Sequence, residues 1–124
     1  MKNKSLYDFW ANVVFRPQKC FLAPDGRTII LQQYALARST SLIEAVPGKK
    51  VYLSDAKIFA ERGEFGVAVD AAGNVYIADG EVLVHRSNGD YKRTIKVSER
   101  PSAMTIVGNK LYITPRNGLY VHGI

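Results

Sequence analysis

Residues 63–97 read GEFGVAVDAAGNVYIADGEVLVHRSNGDYKRTIKV, and this stretch decides the fold. Four short apolar runs alternate with turn signals. Phe65 to Val69 leads to Asp70-Ala71-Ala72-Gly73-Asn74, and Val75 to Ala78 leads to Asp79-Gly80. Val82 to Val84 leads to Ser87-Asn88-Gly89-Asp90, and Tyr91 to Val97 closes the unit. Asn88-Gly89 is a strong hairpin signal, because both residues accept the positive φ of a tight turn. Runs this short, rich in Val, Ile and Tyr and bounded by Gly, Asn and Asp, read as strands. Four antiparallel strands in about 35 residues is the size of one β-propeller blade.

Working outward, the same unit recurs on both sides. Upstream, Cys20 to Ala23 and Thr28 to Leu31 flank a Pro24-Asp25-Gly26 turn. Ser41 to Ala45 makes a third run, Pro47-Gly48-Lys49 a turn, and Val51 to Leu53 the expected fourth strand. Residues 55–63, DAKIFAERG, are read as a connection that permits one helical turn but is too short to nucleate a helix. Downstream, Ala103 to Val107, Leu111 to Thr114 and Leu119 to Val121 form a shorter copy. Val75-Tyr76-Ile77 returns as Leu111-Tyr112-Ile113, and Val82-Leu83-Val84-His85 as Leu119-Tyr120-Val121-His122. The chain therefore reads as all-β, a β-propeller fragment of two to three antiparallel four-stranded blades. The expected blades are 20–62, 64–100 and a partial one over 101–124. The aromatic run Tyr7 to Phe15 is the candidate strand to complete the last.

Closed propellers have about four to eight blades, and exposed blade edges are an aggregation hazard. The expected partner is accordingly either the rest of a larger chain or a second copy that completes the ring. Two three-bladed chains would make six.

Composition excludes several classes. The chain has 124 residues, 47% hydrophobic and 23% charged, which is one ordinary globular domain. No apolar run approaches the roughly 20 residues of a membrane helix. The first fifteen residues lack the apolar core and small-residue cleavage site of a signal peptide. A single Cys20 makes no internal disulfide, so cysteine usage does not decide the compartment. The net charge of +6 is spread over Lys2, Lys4, Arg16, Arg27, Lys49, Lys50, Lys92, Arg93, Arg100 and Arg116. No focused patch or recognition motif accompanies it, so nucleic acid is not the expected partner.

Two stretches carry a family resemblance. Gly66-Val67-Ala68-Val69-Asp70-Ala71-Ala72-Gly73-Asn74-Val75-Tyr76 resembles the blade signature of the six-bladed gluconolactonase family, also called the senescence-marker-protein or regucalcin-like family. Leu111-Tyr112-Ile113-Thr114-Pro115-Arg116-Asn117-Gly118-Leu119-Tyr120 is similar to that family's closing sequence, which leads us to expect Ile124 near a C-terminus. The first motif is shared with NHL-repeat propellers. The resemblance implies the C-terminal portion of a gluconolactonase-like propeller, a sugar-lactone hydrolase or a relative that has lost the chemistry; in the hydrolase one divalent cation, typically Ca2+, polarises the lactone carbonyl while a carboxylate activates water. It also implies an Asp, as ligand and base, where this chain carries Phe65. A phenyl ring neither binds a cation nor takes a proton. Glu64 is the neighbouring carboxylate, and it needs a bulge to turn inward, because a one-residue slip reverses the face. The alternative is a non-catalytic, NHL-like module that binds protein or carbohydrate.

Other candidates are weighed individually. Asp70 and Asp79 could be metal-binding carboxylates at the tunnel mouth, but turn capping is the plainer use. Pro24-Asp25-Gly26 spells the family triplet, yet it sits where a hairpin turn belongs. His85 and His122 hold equivalent positions one blade apart, too far for one ion. Cys20 has no nearby His or basic cluster to lower its pKa, so a bland thiol is the plainer reading than a nucleophile. Tyr76, Tyr112 and Tyr120 are expected to pack between blades.

Overall fold

The computed structural model describes residues 19–33, 39–52, 55–63 and 66–124. They form eleven strands in three antiparallel sheets and no α-helix. The first sheet holds β1 (Lys19–Leu22), β2 (Thr28–Gln33), β3 (Ser39–Glu44) and β4 (Lys57–Ala60) in chain order. The second holds β5 (Val67–Val69), β6 (Val75–Asp79), β7 (Glu81–His85) and β8 (Tyr91–Ile95). The third holds β9 (Pro101–Val107), β10 (Lys110–Pro115) and β11 (Tyr120–Gly123). This is the architecture of a propeller fragment.

The hairpins form where the sequence supplies them. At Asn88-Gly89, Arg86 N donates to Asp90 O and Gly89 N to Arg86 O, with Gly89 at φ 98°. An L-side chain is strained there, which is why Gly occupies the position. The registers of the sheets superimpose. Leu22 pairs Ile29, Val69 pairs Val75 and Ile106 pairs Leu111. Tyr76 pairs Val84 as Tyr112 pairs Val121.

One strand lies elsewhere than the sequence reading put it. The fourth strand of the first sheet is Lys57–Ala60, inside the stretch read as a connection, while Val51 and Tyr52 lie outside any strand. Turns closed by Lys49 N to Val46 O and Asp55 N to Tyr52 O hold that segment off the sheet. β3 takes Lys57, Ile58 and Ala60 as partners instead. Tyr7 to Phe15 lies outside the described residues.

The second sheet is packed on both faces, which explains the unbroken burial of Val75-Tyr76-Ile77-Ala78. Val67, Val75 and Ile77 meet Ile30 and Ala60 of the first sheet. Ala68, Tyr76, Val82, Val84 and Ile95 meet Leu111 and Ile113 of the third. Because side chains alternate along a strand, each sequence run feeds both interfaces. Among the described residues no helix is long and apolar enough to cross a membrane.

Candidate functional site

Two ends of the stack collect polar side chains. At one end the chain crosses from sheet to sheet through residues 61–66 and 96–100. At the other lie the hairpins after β1, β5 and β7.

The crossing end is tied by buried amides and hydroxyls. Gln32 is fully buried; its Nε2 donates to Gly66 O at 3.1 Å and its Oε1 accepts from Gly66 N at 2.8 Å. This two-point bond satisfies one peptide group of the second sheet with a side chain of the first. Gly66 O also accepts from Ala78 N at 3.0 Å. Thr40 Oγ1 donates to Arg62 O at 2.8 Å, and Gly63 N donates to Asp79 Oδ2 at 3.1 Å. A Cβ on Gly63 would strike Thr40 Oγ1 and sit 2.7 Å from Gln32 Nε2, and its φ is 125°. Both facts require glycine there. Glu64 and Phe65, the residues on which the metal and base reading turns, lie outside the described residues.

At the hairpin end the carboxylates serve their own turns. Asp70 Oδ1 accepts from Ala72 N at 3.0 Å and Asn74 N at 2.9 Å. Its Oδ2 accepts from Asn74 Nδ2 and Tyr76 Oη, each at 3.0 Å. Burial pushes the Asp70 pKa up, but the bonds from Asn74, Tyr76 and Ala72 outweigh it and hold the group below the ordinary value. A cation at Asp70 would have to compete with all four donors. Burial, and then the Asp70 carboxylate, push the Tyr76 phenol up to about 12. Asp25 accepts from Thr28 N and Arg27 N at 2.8 Å and from Thr28 Oγ1 at 2.7 Å. Those bonds, led by the Thr28 amide, hold it down to about 2. Pro24-Asp25-Gly26 is thus a hairpin turn. A groove of ≈ 410 Å³ runs between the two turns, lined by Pro24, Asp25, Phe59, Asp70, Gly73 and Ser87.

The remaining candidates are separated. His85 is buried in the second sheet, with Nδ1 2.9 Å from Gly89 O and its ring edge-on to Phe59 and Tyr91. His122 is half-buried in the third sheet at the equivalent register position. Of the three recurring tyrosines, Tyr76 and Tyr120 pack between the second and third sheets, whereas Tyr112 lies on the other face of the third sheet. Asp79 Oδ2 accepts from Gly63 N in the crossing that follows the first sheet. Cys20 is exposed. Among the described residues no group of three or more His, Cys, Asp or Glu is placed to hold a metal ion.

The bridging side chains Gln32 and Thr40 escaped the sequence reading. Their signal was a polar residue inside an apolar run, Gln32 directly after Ile29-Ile30-Leu31.

No protein-family model and no curated protein matches the chain by sequence. A solved gluconolactonase from Xanthomonas campestris, described as important in glucose secondary metabolic pathways, superimposes with a TM-score of 0.71. The match covers 85% of this chain at 22% identity, and 36% of that protein. The chain thus spans about a third of the gluconolactonase, and the likeness is one of fold.

Proposed function

We propose that this chain is part of a gluconolactonase-like propeller that acts on a sugar lactone at the crossing-loop end of its sheets. The observation that carries the reading is the superposition on a gluconolactonase over 85% of the chain. The blade signature at Gly66 to Tyr76 supports the likeness, and it puts the family's catalytic Asp at the position of Phe65. Glu64 is the carboxylate beside that position and takes the base role in this reading. Fold alone does not confer the activity, which depends on the site.

One observation favours a second reading. Phe65 in place of the carboxylate suits a non-catalytic module that binds a carbohydrate or a protein without hydrolysing anything.

Proton release from glucono-δ-lactone, followed in a pH-stat with and without Ca2+, separates the two. Calcium-dependent hydrolysis that disappears in Glu64→Gln supports the lactonase. No release above the spontaneous rate, with no Ca2+ uptake by calorimetry at millimolar concentration, removes it and leaves the binding module.

A further inference from the structure

The dipeptide Asn-Gly occurs twice, at Asn88-Gly89 and at Asn117-Gly118. Each pair has the same intrinsic chemistry, because glycine carries no side chain to hinder its own nitrogen from approaching the preceding Asn Cγ. That nitrogen can attack Cγ, form a new C–N bond, give up its proton and expel the side-chain nitrogen as ammonia. Water then opens the resulting succinimide at one carbonyl or the other, leaving aspartate or isoaspartate. Isoaspartate routes the main chain through Cγ and so lengthens it by one carbon.

The fold treats the two pairs differently. In the hairpin after β7, Asn88 Nδ2 donates to Asp90 Oδ2 at 3.1 Å and its Oδ1 accepts from Asp90 N at 2.9 Å, which holds the carboxamide on Asp90. The attacking nitrogen is engaged too, since Gly89 N donates to Arg86 O at 2.9 Å. Gly89 O lies 2.9 Å from His85 Nδ1, and a Cβ on Gly89 would sit 3.4 Å from Phe59 O, so the turn is seated against the first sheet. Ring closure at Asn88 therefore requires the hairpin to open.

Asn117-Gly118 has none of these restraints. The β10–β11 ladder ends at the Ile113–Tyr120 pair, and residues 114–119 span the gap beyond it. On the other side of β10 the register with β9 shifts between Thr114 and Pro115. Asn117 and Gly118 are exposed, and among the described residues neither the Asn117 side chain nor the Gly118 N–H makes a hydrogen bond. A Cβ on Gly118 would meet nothing within 4 Å. The nitrogen, Cγ and water can meet there without displacing a neighbour.

We propose that Asn117-Gly118 is a site of spontaneous deamidation in the folded protein, and that the β7–β8 hairpin protects the identical pair at Asn88-Gly89. The site sits where the chain crosses between sheets, since Pro115 pairs with Pro101 directly after residues 96–100. Conversion adds a carboxylate at that end and lowers the net charge of +6 by one. An extra main-chain carbon is tolerated in 114–119, which lies outside the β10–β11 ladder, whereas in the hairpin it would disrupt the turn under His85 and Phe59. The proposal does not draw on the lactone reading.

Peptide mapping by mass spectrometry tests it, on the full chain aged in mildly alkaline buffer with and without urea. In the native protein Asn117 should convert about tenfold or more faster than Asn88, the factor that one or two hydrogen bonds impose. In urea the two rates should converge, because the difference lies in the fold and not in the dipeptide. Asp90→Ala frees the Asn88 Nδ2 and should quicken conversion at Asn88 while leaving that at Asn117 unchanged. Far-UV circular dichroism of the aged native protein should match that of fresh protein. Equal rates in the native protein overturn the proposal. So does a native ratio that persists in urea, and so does an Asn117 that converts in urea but not in the folded chain.

Discussion

The middle sheet is held differently on its two faces. Toward the first sheet, apolar contact among Ile30, Val67, Val75 and Ile77 is reinforced at one end by the buried two-point bond of Gln32 and by half-buried bonds of Thr40 and Asp79 to the crossing at Arg62 and Gly63. Toward the third sheet, Tyr76, Val82, Val84, Leu111 and Ile113 pack as a larger apolar cluster. There the Ser98 and Glu99 bonds to Tyr120 lie on the exposed rim. Apolar packing is tolerant of direction, whereas a two-point amide bond fixes distance and angle. The first interface should therefore resist small changes of geometry poorly, and the second should resist loss of volume poorly.

Gly63→Ala is the most severe test of that difference. The new methyl meets Thr40 Oγ1 and Gln32 Nε2 inside the bonded cluster, at a φ of 125° that Ala disfavours. We expect a loss of about 3–5 kcal/mol by urea denaturation, the range of the diagnostic core defects. On the other face, Leu111→Ala removes a fully buried side chain from the apolar cluster between the second and third sheets. It should cost about 2–5 kcal/mol and loosen the third sheet first, seen as faster amide exchange in β9–β11 than in β2 and β3. Equal acceleration in all three sheets would show that the two faces are one cooperative unit.

How much of this was legible beforehand follows the same division. Period-2 apolar runs and Gly-Asn turns mark ten of the eleven strands, because local sterics and burial act on neighbours in sequence. Lys57–Ala60 was misread because Lys-Ile-Phe-Ala is short and lies among charged residues, while Val51-Tyr52-Leu53 has the better strand composition. Tertiary pairing with β3 outweighs that local preference. A repeat signal was available, since Glu61-Arg62 and Glu99-Arg100 follow the fourth strand in both sheets. At the candidate site, Asp25 and Asp70 were readable as turn caps from spacing alone. The Gln32–Gly66 bond was not, for it joins residues that only the stacking of two sheets brings together.

Gln32→Leu sharpens the comparison more gently. It keeps the volume but leaves Gly66 N without its acceptor in a buried position. An unsatisfied buried amide costs about 1–3 kcal/mol, so the stability loss should fall in that range. Gln32→Glu should restore the acceptor but lose the donor to Gly66 O, and be pH-dependent. A neutral outcome for Gln32→Leu would mean that water or a shift of the strand replaces the bond, and that the interface is as forgiving as its apolar counterpart.

The smallest expected effect comes from Asp70, whose turn lines the groove toward the first sheet and is bonded to Tyr76 on the face toward the third. Its folded pKa lies below the unfolded value, so its contribution is present above the unfolded pKa, near 3.8, and is lost as pH falls through the folded one. Tyr76 has the opposite sign. Its pKa is raised, so its contribution is complete below about 10 and is lost as pH rises toward about 12. Stability should therefore decline at both extremes, with Asp25, held down to about 2, adding to the acid limb. Tyr76→Phe separates the two limbs. It deletes the alkaline one outright, while on the acid side Asp70 keeps the donors from Asn74 and Ala72 and loses one bond in four. The urea midpoint measured against pH should then be flat above pH 9, apart from lysine titration, and nearly unchanged in acid. An acid limb that collapsed along with the alkaline one would show that Asp70 is held by the tyrosine between the sheets rather than by its own turn.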